Sequence, residues 1–261
     1  MKKTITLTFG DVAENGVGLQ KIGKEASEGF TLPDLQRAEK WFTSHGASCQ
    51  LIHLNSLISE EAKEAHLLIV RNGIDAICSS DDMLKEQEIL QPDTQYYSRK
   101  HGKIVNKNAR HNLCFSHEAQ EADHMSLKGT VVAYDAVPLL SLVRNTLPEI
   151  IGEKARDIRV EGNYYYNIKK CYIGWHGDGE RRKVIGVRLG EGFPLHFQWY
   201  LRSTRIGKRL QVDLHHGDLY IMSEKTVGKD WLTKTIPTLR HAAGFPHPKR
   251  LPVTDEEPIK Y

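Results

Sequence analysis

Alternating polar and apolar positions open the chain and return in its second half. Residues 4–9, Thr-Ile-Thr-Leu-Thr-Phe, have the period of two that is typical of a strand. Seven more short runs with strand-like patterns follow one another closely, with glycine-containing turns between them. They cover residues 162–167, 172–176, 184–190, 195–201, 210–214, 218–222 and 236–241. Strands of this length and spacing favour a sandwich or a barrel.

Helical spacing is found mainly in the first 151 residues. Thr31 is a candidate N-cap for a helix that carries Pro33 in its first turn and ends near Gly46. Apolar residues at helical spacing predict a second helix over residues 60–78 and a third over residues 137–151. The chain therefore belongs to the α+β class.

The change of pattern along the chain predicts three segments. Residues 1–92 form a small α/β N-terminal unit, residues 93–128 a polar connecting segment, and residues 129–261 a β-rich domain. Within the first unit, residues 10–29 are predicted to form a loop that carries Glu14, Asn15, Gln20 and Lys21. These side chains could face a ligand, but a solvated loop is the favoured interpretation.

Composition and charge narrow the function classes only a little. The chain has 261 residues, 39% hydrophobic and 26% charged, which is ordinary for a globular protein. A net charge of +3 permits nucleic-acid binding without arguing for it. No apolar run approaches the about 20 residues that span a bilayer, and no secretory signal is recognisable. Four scattered cysteines indicate a reducing compartment, so we expect a cytoplasmic protein without membrane partners.

A histidine and a carboxylate two positions apart, His176-Gly177-Asp178, are the strongest chemical signal in the sequence. Residues i and i+2 of an extended chain point to the same side, so both side chains can reach one metal ion. They would supply two corners of a 2-His-1-carboxylate triad, which leaves positions open on non-haem Fe(II). On its own the motif favours a charged surface turn, because short motifs of this kind often occur by chance.

The third ligand must come from later in the chain. Candidates are His196, His215, His216, Asp230 and His241. His241 follows an alternating apolar run and is the first choice, and Asp230 is the second.

An iron centre that uses 2-oxoglutarate also needs a cation for the distal carboxylate, and the forked guanidinium of arginine suits it. Arg240 and Arg188 are the strand arginines in question. Arg240 adjoins His241, so the two side chains should face opposite sides of a regular strand.

Four motifs in order resemble the Fe(II)/2-oxoglutarate oxygenases, and within them the AlkB-like branch. They are Asn163-Tyr164-Tyr165, Ile173-Gly174-Trp175-His176-Gly177-Asp178-Gly179-Glu180, Pro194-Leu195-His196-Phe197-Gln198 and His216-Gly217-Asp218-Leu219-Tyr220. The chain also resembles a group of uncharacterised oxygenase-like proteins of large DNA viruses and microbes. The resemblance implies a double-stranded β-helix (a jelly-roll, cupin-like core) with an N-terminal α/β extension. It implies that His176 and Asp178 bind Fe(II) and that Asn163 and Tyr165 contact 2-oxoglutarate.

The resemblance leaves the C-terminal part of the site open. The family places a second histidine soon after the His-Gly-Asp strand and then an arginine-rich strand. Here either Arg240 is that arginine and Asp230 or no residue replaces the histidine, or His241 is the ligand and the arginine comes from elsewhere.

The activity implied is a dioxygenase that uses O2 and 2-oxoglutarate and releases succinate and CO2 as it hydroxylates or oxidatively demethylates its substrate. By resemblance the substrate is a nucleic-acid base, with the basic and aromatic residues 96–111 at its binding edge. The competing substrate is a protein side chain. Two other hypotheses are a β-barrel binding module without turnover and a structural barrel in which His176 and Asp178 only hydrogen-bond.

Overall fold

The computed structural model describes residues 2–16, 18–244 and 258–261. The fold is mixed α+β, with two large sheets and few helices. The strands in chain order are β1 (Thr4–Gly10), β2 (Val12–Glu14), β3 (Lys21–Gly23), β4 (Ser48–His53), β5 (His66–Arg71), β6 (Gln95–Ser98), β7 (Lys103–Asn106), β8 (His111–Ser116), β9 (Val131–Ala133), β10 (Arg159–Tyr165), β11 (Ile173–His176), β12 (Val184–Gly190), β13 (Phe193–Leu201), β14 (Thr204–Leu214), β15 (Leu219–Met222), β16 (Thr238–Ala243) and β17 (Ile259–Lys260).

The helices are α1 (Leu32–Ser44), α2 (Ser80–Glu88), α3 (Pro138–Ile151) and the one-turn α4 (Glu224–Val227). Short 3-10 helices cover Leu54–Leu57, Gly73–Ala76, His124–Ser126, Tyr134–Ala136 and Glu153–Ala155. No helix in the described part of the chain is both long and apolar enough to cross a membrane.

Two sheets organise the molecule. The large sheet has eight strands in the order β4-β5-β15-β12-β1-β10-β8-β9, and the small sheet has five in the order β11-β16-β13-β14-β17. Neighbouring strands are antiparallel except for the pairs β8–β9 and β14–β17. Two hairpins, β2–β3 and β6–β7, lie outside them.

The alternation in β1 separates two cores. Leu7, on one face of β1, packs with Phe42 of α1 and Leu147 of α3 in a helix-covered core, and all three are fully buried. A second core contains Trp199 of the small sheet and Tyr220 of the large one, so the two sheets pack against each other. The threonines of β1 lie on the other face from Leu7, where the cavity described below is found.

The expected division into three segments is corrected by the strand pairing. β1, from residues 1–92, lies between β10 and β12, which belong to residues 129–261. β5 pairs with β15, and β8, from residues 93–128, pairs with β10. The three segments therefore share one sheet. The sequence did not predict this, because the paired strands are distant in sequence and a local pattern carries no information about them.

Two of the three predicted helices are confirmed. α1 begins after Thr31, which forms a capping box with Asp34, and α3 covers Pro138–Ile151. The helix predicted over residues 60–78 is wrong, since β5 occupies His66–Arg71 there. β5 is buried on both faces between β4 and β15, and a short continuous apolar run does not distinguish a central strand from a helix.

The pairing of β1 predicts that the N-terminal residues unfold together with the rest of the chain. Leu7→Ala should lower the free energy of unfolding by about 2–5 kcal/mol, because it leaves a cavity in a fully buried position. The matched control is Leu142→Ala, whose side chain on α3 is 45% exposed and which should cost less than about 1 kcal/mol.

Urea unfolding measured by fluorescence and by circular dichroism tests this prediction. A single transition that moves as a whole in Leu7→Ala is expected. Two transitions, only one of which responds to Leu7→Ala, would contradict it and restore an independent N-terminal unit.

Candidate metal centre and its cavity

His176, Asp178 and His241 meet in one cluster. His176 at the end of β11 and His241 on β16 are register partners across the two strands, and their rings are 4.4 Å apart between centroids. Asp178 Oδ1 lies 3.4 Å from Nε2 of His176 and 3.5 Å from Nε2 of His241. One ligand atom from each residue lies within 4.8 Å of the others, so the cluster could hold a metal ion.

The turn after His176 brings Asp178 back to the histidines. The Asp178 N–H donates to the carbonyl of Val227, the last residue of α4, at 3.0 Å, which fixes the turn against the end of this helix. A Cβ on Gly177 would lie 2.1 Å from the carbonyl oxygen of Gly228, so only glycine fits between His176 and Asp178. The small residue in the motif is thus required by close backbone approach.

The protonation states suit metal binding. Nδ1 of His176 lies 2.8 Å from the Gly174 carbonyl, and donation to this oxygen leaves Nε2 free to bind a metal. Burial, together with His176, lowers the pKa of His241 and keeps its ring neutral. Burial alone would raise the pKa of Asp178, but His241 and the nearby Arg181 outweigh it and hold that pKa well below its usual range. The Nε2 atoms of two imidazoles and the carboxylate of Asp178 therefore converge.

Arg181 holds the carboxylates around the cluster. It is 4% exposed, and its Nη2 lies 2.7 Å from Glu161 Oε2 and 2.8 Å from Glu180 Oε1. Its Nε lies 3.8 Å from Asp178 Oδ2. Burial works against the charge, but these carboxylates raise the pKa of Arg181 well above its usual value. The sequence analysis missed this residue, although it stands three positions after Asp178.

A cavity of about 470 Å³ lies beside the metal cluster, and side chains of both sheets line it. The small sheet and its connections contribute the three cluster residues. The large sheet contributes Thr6, Thr8, Asn163, Tyr165 and Arg188. Its wall also includes Glu14 and Lys21 of the β2–β3 hairpin and Arg110, which precedes β8. Of the four polar residues named in this predicted loop, Glu14 and Lys21 line the cavity and stand on strands, so the favoured interpretation of a solvated loop is wrong for these two.

Arg188 is a cation enclosed in this cavity wall. Its side chain is fully buried, one Nη donates to Thr6 Oγ1, and its Nε has no hydrogen-bond partner. Its guanidinium lies 5.1 Å from the centroid of the Phe193 ring, and burial lowers its pKa. No salt bridge to Arg188 is found among the described residues, because Asp218 is 2.6 Å from Arg71 instead. A buried guanidinium of this kind calls for an anionic partner.

Asn163 and Tyr165, the residues that the resemblance assigns to 2-oxoglutarate, line the cavity wall. Asn163 Oδ1 accepts from Asn112 Nδ2 at 2.7 Å and from Arg110 Nε, and its Nδ2 donates to Glu161 at 3.0 Å. Tyr165 is 2% exposed, and burial raises the pKa of its phenol, which stays neutral.

Arg240 lies outside the cavity, contrary to the expectation for it. Its guanidinium is 4.0 Å from the centroid of Tyr200 and 5.2 Å from that of Trp231, and it donates to the Trp231 carbonyl at 3.3 Å. β16 is regular at this point, so Arg240 and His241 face opposite sides of the sheet, and the strand does not bulge to bring both into one site.

The other candidate ligands have different partners. Asp230 Oδ2 accepts from Lys225 Nζ at 2.6 Å, so the second choice for third ligand does not join the cluster. His196 Nε2 lies 3.0 Å from the Gly244 carbonyl, and His216 Nδ1 accepts the Gly190 N–H at 2.9 Å. His241, the first choice, is the residue that the structure brings to His176 and Asp178.

Comparison with known proteins gives a family but no activity. No family model matches the chain. The chain is 44% identical over 248 residues to "Uncharacterized protein R156" of Acanthamoeba polyphaga mimivirus. The alignment covers 94% of this chain and 96% of that protein. At this identity and coverage, the chain belongs to the same family as the mimivirus protein.

The geometry predicts which substitutions remove metal binding. His241→Ala deletes one of three ligands and should weaken Co(II) or Fe(II) binding by about 100-fold or more. Asp230→Asn keeps a hydrogen-bond acceptor for Lys225 and should leave the affinity within about twofold of wild type. Anaerobic calorimetry of the metal-free protein measures both affinities, and loss of binding in Asp230→Asn but not in His241→Ala would reverse the assignment.

Proposed function

We propose that the protein is an Fe(II)- and 2-oxoglutarate-dependent dioxygenase that hydroxylates, or oxidatively demethylates, a C–H bond of its substrate. One observation carries the proposal. The His176–Asp178–His241 cluster faces a cavity that also contains Arg188, a fully buried guanidinium that has no carboxylate partner among the residues the structure describes. A metal and a dianionic co-substrate in one cavity would satisfy both features.

The order of the strands supports a double-stranded β-helix core. Four strands of the small sheet, β11-β16-β13-β14, face four of the large sheet, β10-β1-β12-β15. From β10 to β16 the chain passes repeatedly between the two sets. A jelly roll needs one more strand between β10 and β12 to close its large sheet. β1, from the N-terminal part of the chain, lies in that place between β10 and β12 and completes a set of eight strands.

The donor set fits iron. Imidazole nitrogen and carboxylate oxygen are ligands for non-haem Fe(II), and a set of two histidines and one carboxylate leaves coordination positions free. His241 is 7% exposed, so water has little access from its side. The same donors accept other divalent metals, and it is the cation in the cavity that favours the iron and 2-oxoglutarate interpretation.

Arg188 is the residue that we assign to the distal carboxylate of 2-oxoglutarate. Thr6 beside it and Tyr165, which lines the same wall, can donate hydroxyl hydrogen bonds to the same group. A carboxylate there would offset the desolvation cost of the buried guanidinium. Asn163 lines the wall with its amide held by Arg110 and Asn112, so it is fixed in position for the co-substrate.

Bound iron would supply the activation of O2, with 2-oxoglutarate losing CO2 to become succinate while one oxygen atom enters succinate and the other enters the substrate C–H bond. The protein's part is to orient the metal ligands and to exclude water. Arg181 keeps Asp178 ionised and in place, and burial keeps His241 neutral. The cavity walls limit access of water to the reacting groups.

The alternative of a binding module without turnover rested on the lack of a clear third ligand. His241 in the cluster removes that reason. The two substrate classes carried from the sequence are a nucleic-acid base and a protein side chain.

The experiment is anaerobic addition of Fe(II) and then 2-oxoglutarate, followed by the visible charge-transfer absorption of the complex. Wild type should develop the band, and His176→Ala should not. Arg188→Met should bind Fe(II) but weaken 2-oxoglutarate binding by about tenfold or more, because the forked guanidinium is lost. Arg240→Met is the matched control and should bind 2-oxoglutarate as wild type does.

Two outcomes would overturn the proposal. One is a wild-type protein that binds Fe(II) but shows no change on addition of 2-oxoglutarate. The other is an equal loss of 2-oxoglutarate binding in Arg188→Met and Arg240→Met. Succinate formation in air, measured with the same variants, tests turnover separately.

A further inference from the structure

Side chains of opposite charge line the cavity at two levels, that is, at two positions along the strands of the large sheet. Thr6 of β1 is the register partner of Arg188 on one side and of Asn163, which holds Arg110, on the other. Two residues further along β1, Thr8 is the partner of Glu161. Two residues of a strand span roughly 7 Å. Cations therefore lie at one level of the wall, and carboxylates begin at the next.

The carboxylate level is also the more open one. Glu14 and Glu180 line it and are partly exposed, and the exposed Gly18 and Gly179 lie beside them on the cavity wall. Arg188 and Tyr165, at the other level, are 0% and 2% exposed. A substrate that enters the cavity would therefore meet Glu14 and Glu180 first and the co-substrate end last.

More carboxylates than cations surround this opening. Arg181 is shared by Glu161, Glu180 and Asp178, and the N–H of Glu14 donates to Glu161 Oε2 at 3.2 Å. Glu14 Oε1 accepts the Gly18 N–H at 3.1 Å, and no salt bridge to Glu14 is found in the described ranges.

Glu14 is held in a position that is unfavourable for its charge. Burial raises its pKa, and Glu180 and Glu161 raise it further. Lys21, its register partner across β2–β3, pulls the other way without offsetting these effects. A cation bound at the opening would relieve this repulsion.

A second observation points to a ligand in the same cavity. The Arg188 guanidinium, buried in its wall with Nε unpartnered, requires an anion there. If that anion is the co-substrate, as proposed above, the carboxylates at the opening remain for the substrate itself. Of the cations near this opening, Arg182 and Lys229 both pair with Glu25, at 2.9 and 2.8 Å, and Lys21 faces Glu14 across the β2–β3 hairpin.

We propose that the substrate presents a primary amine or a guanidinium to Glu14 and Glu180, as a free basic amino acid or as a Lys or Arg residue of a polypeptide. This inference rests on the proposed function, whose substrate class it names. A phosphodiester strand would bring negative charge to the same carboxylates, whereas nucleic-acid sites present free Lys and Arg to phosphates.

The test is calorimetric binding of matched probes to the full chain with Mn(II), which replaces Fe(II) so that no turnover occurs, and 2-oxoglutarate. The probes are Gly-Gly-Arg-Gly-Gly, its Lys and Gln counterparts, free arginine, and a short oligothymidylate. We expect the Arg or Lys peptide, or free arginine, to bind, and the Gln peptide to bind at least about tenfold more weakly. The comparison of peptide with free arginine distinguishes the two sources of the cation.

Glu14→Gln is the decisive variant. It keeps an oxygen for the Gly18 N–H and removes the charge, so affinity for the basic probe should fall about tenfold while 2-oxoglutarate binding is unchanged. The matched control is Glu61→Gln, an exposed carboxylate that does not line the cavity, which should bind within about twofold of wild type.

Three results would overturn the inference: no binding of any basic probe, equal affinity for the Arg and Gln peptides, or oligothymidylate binding that Glu14→Gln does not weaken. The charge-transfer band with Fe(II) and 2-oxoglutarate, recorded on the same preparation, separates the two proposals. A normal band without binding of basic probes defeats the inference alone. An absent band with Glu14-dependent binding of the Arg probe defeats the dioxygenase proposal and leaves the acidic subsite in place.

Discussion

The register of β1 between β10 and β12 determines which side chains reach the cavity. With Thr6 opposite Arg188 and Asn163, the polar face of β1 lines the ligand wall and Leu7 enters the helix-covered core. A slip of one residue would exchange the two faces and place Leu7 in the cavity. Such a slip is opposed from both sides, because β1 is paired along its whole length with two neighbours and its apolar face is fully buried.

Two buried arginines depend on that register in different ways. Arg181 is surrounded by carboxylates, so its burial is compensated within the protein and it can fix Asp178. Arg188 has a hydroxyl and an aromatic face around it, and neither neutralises its charge. A buried ion without a partner is costly, and a fold retains it where a ligand completes the pair. The contrast between the two residues is the main physical reason to regard the cavity as a ligand site.

Sequence reasoning located the parts of the site that depend on local geometry. His176 and Asp178 are two positions apart, and the spacing alone puts them on one side of an extended chain. His241 followed from the alternation of β16, which also predicted that Arg240 would face the other way. Thr6 could not be assigned to the site in this way, and Glu14 could be assigned only to a loop that faced either a ligand or solvent. They reach it through the insertion of β1, a pairing between strands over 150 positions apart, of which a local pattern carries no signal.

The same strand connects the two ends of the cavity. β1 carries Thr6 beside Arg188, and it continues almost directly into β2, which carries Glu14 at the opening. A displacement of the β2–β3 hairpin would therefore act on β1 and on the Thr6–Arg188 contact at the inner end. The hairpin is itself held, because Ala13 is fully buried against Cys114 and Val131 and the Glu14 N–H donates to Glu161 on β10. β1 is paired with a neighbour on each side, so the two ends of the cavity are coupled through one strand of the sheet.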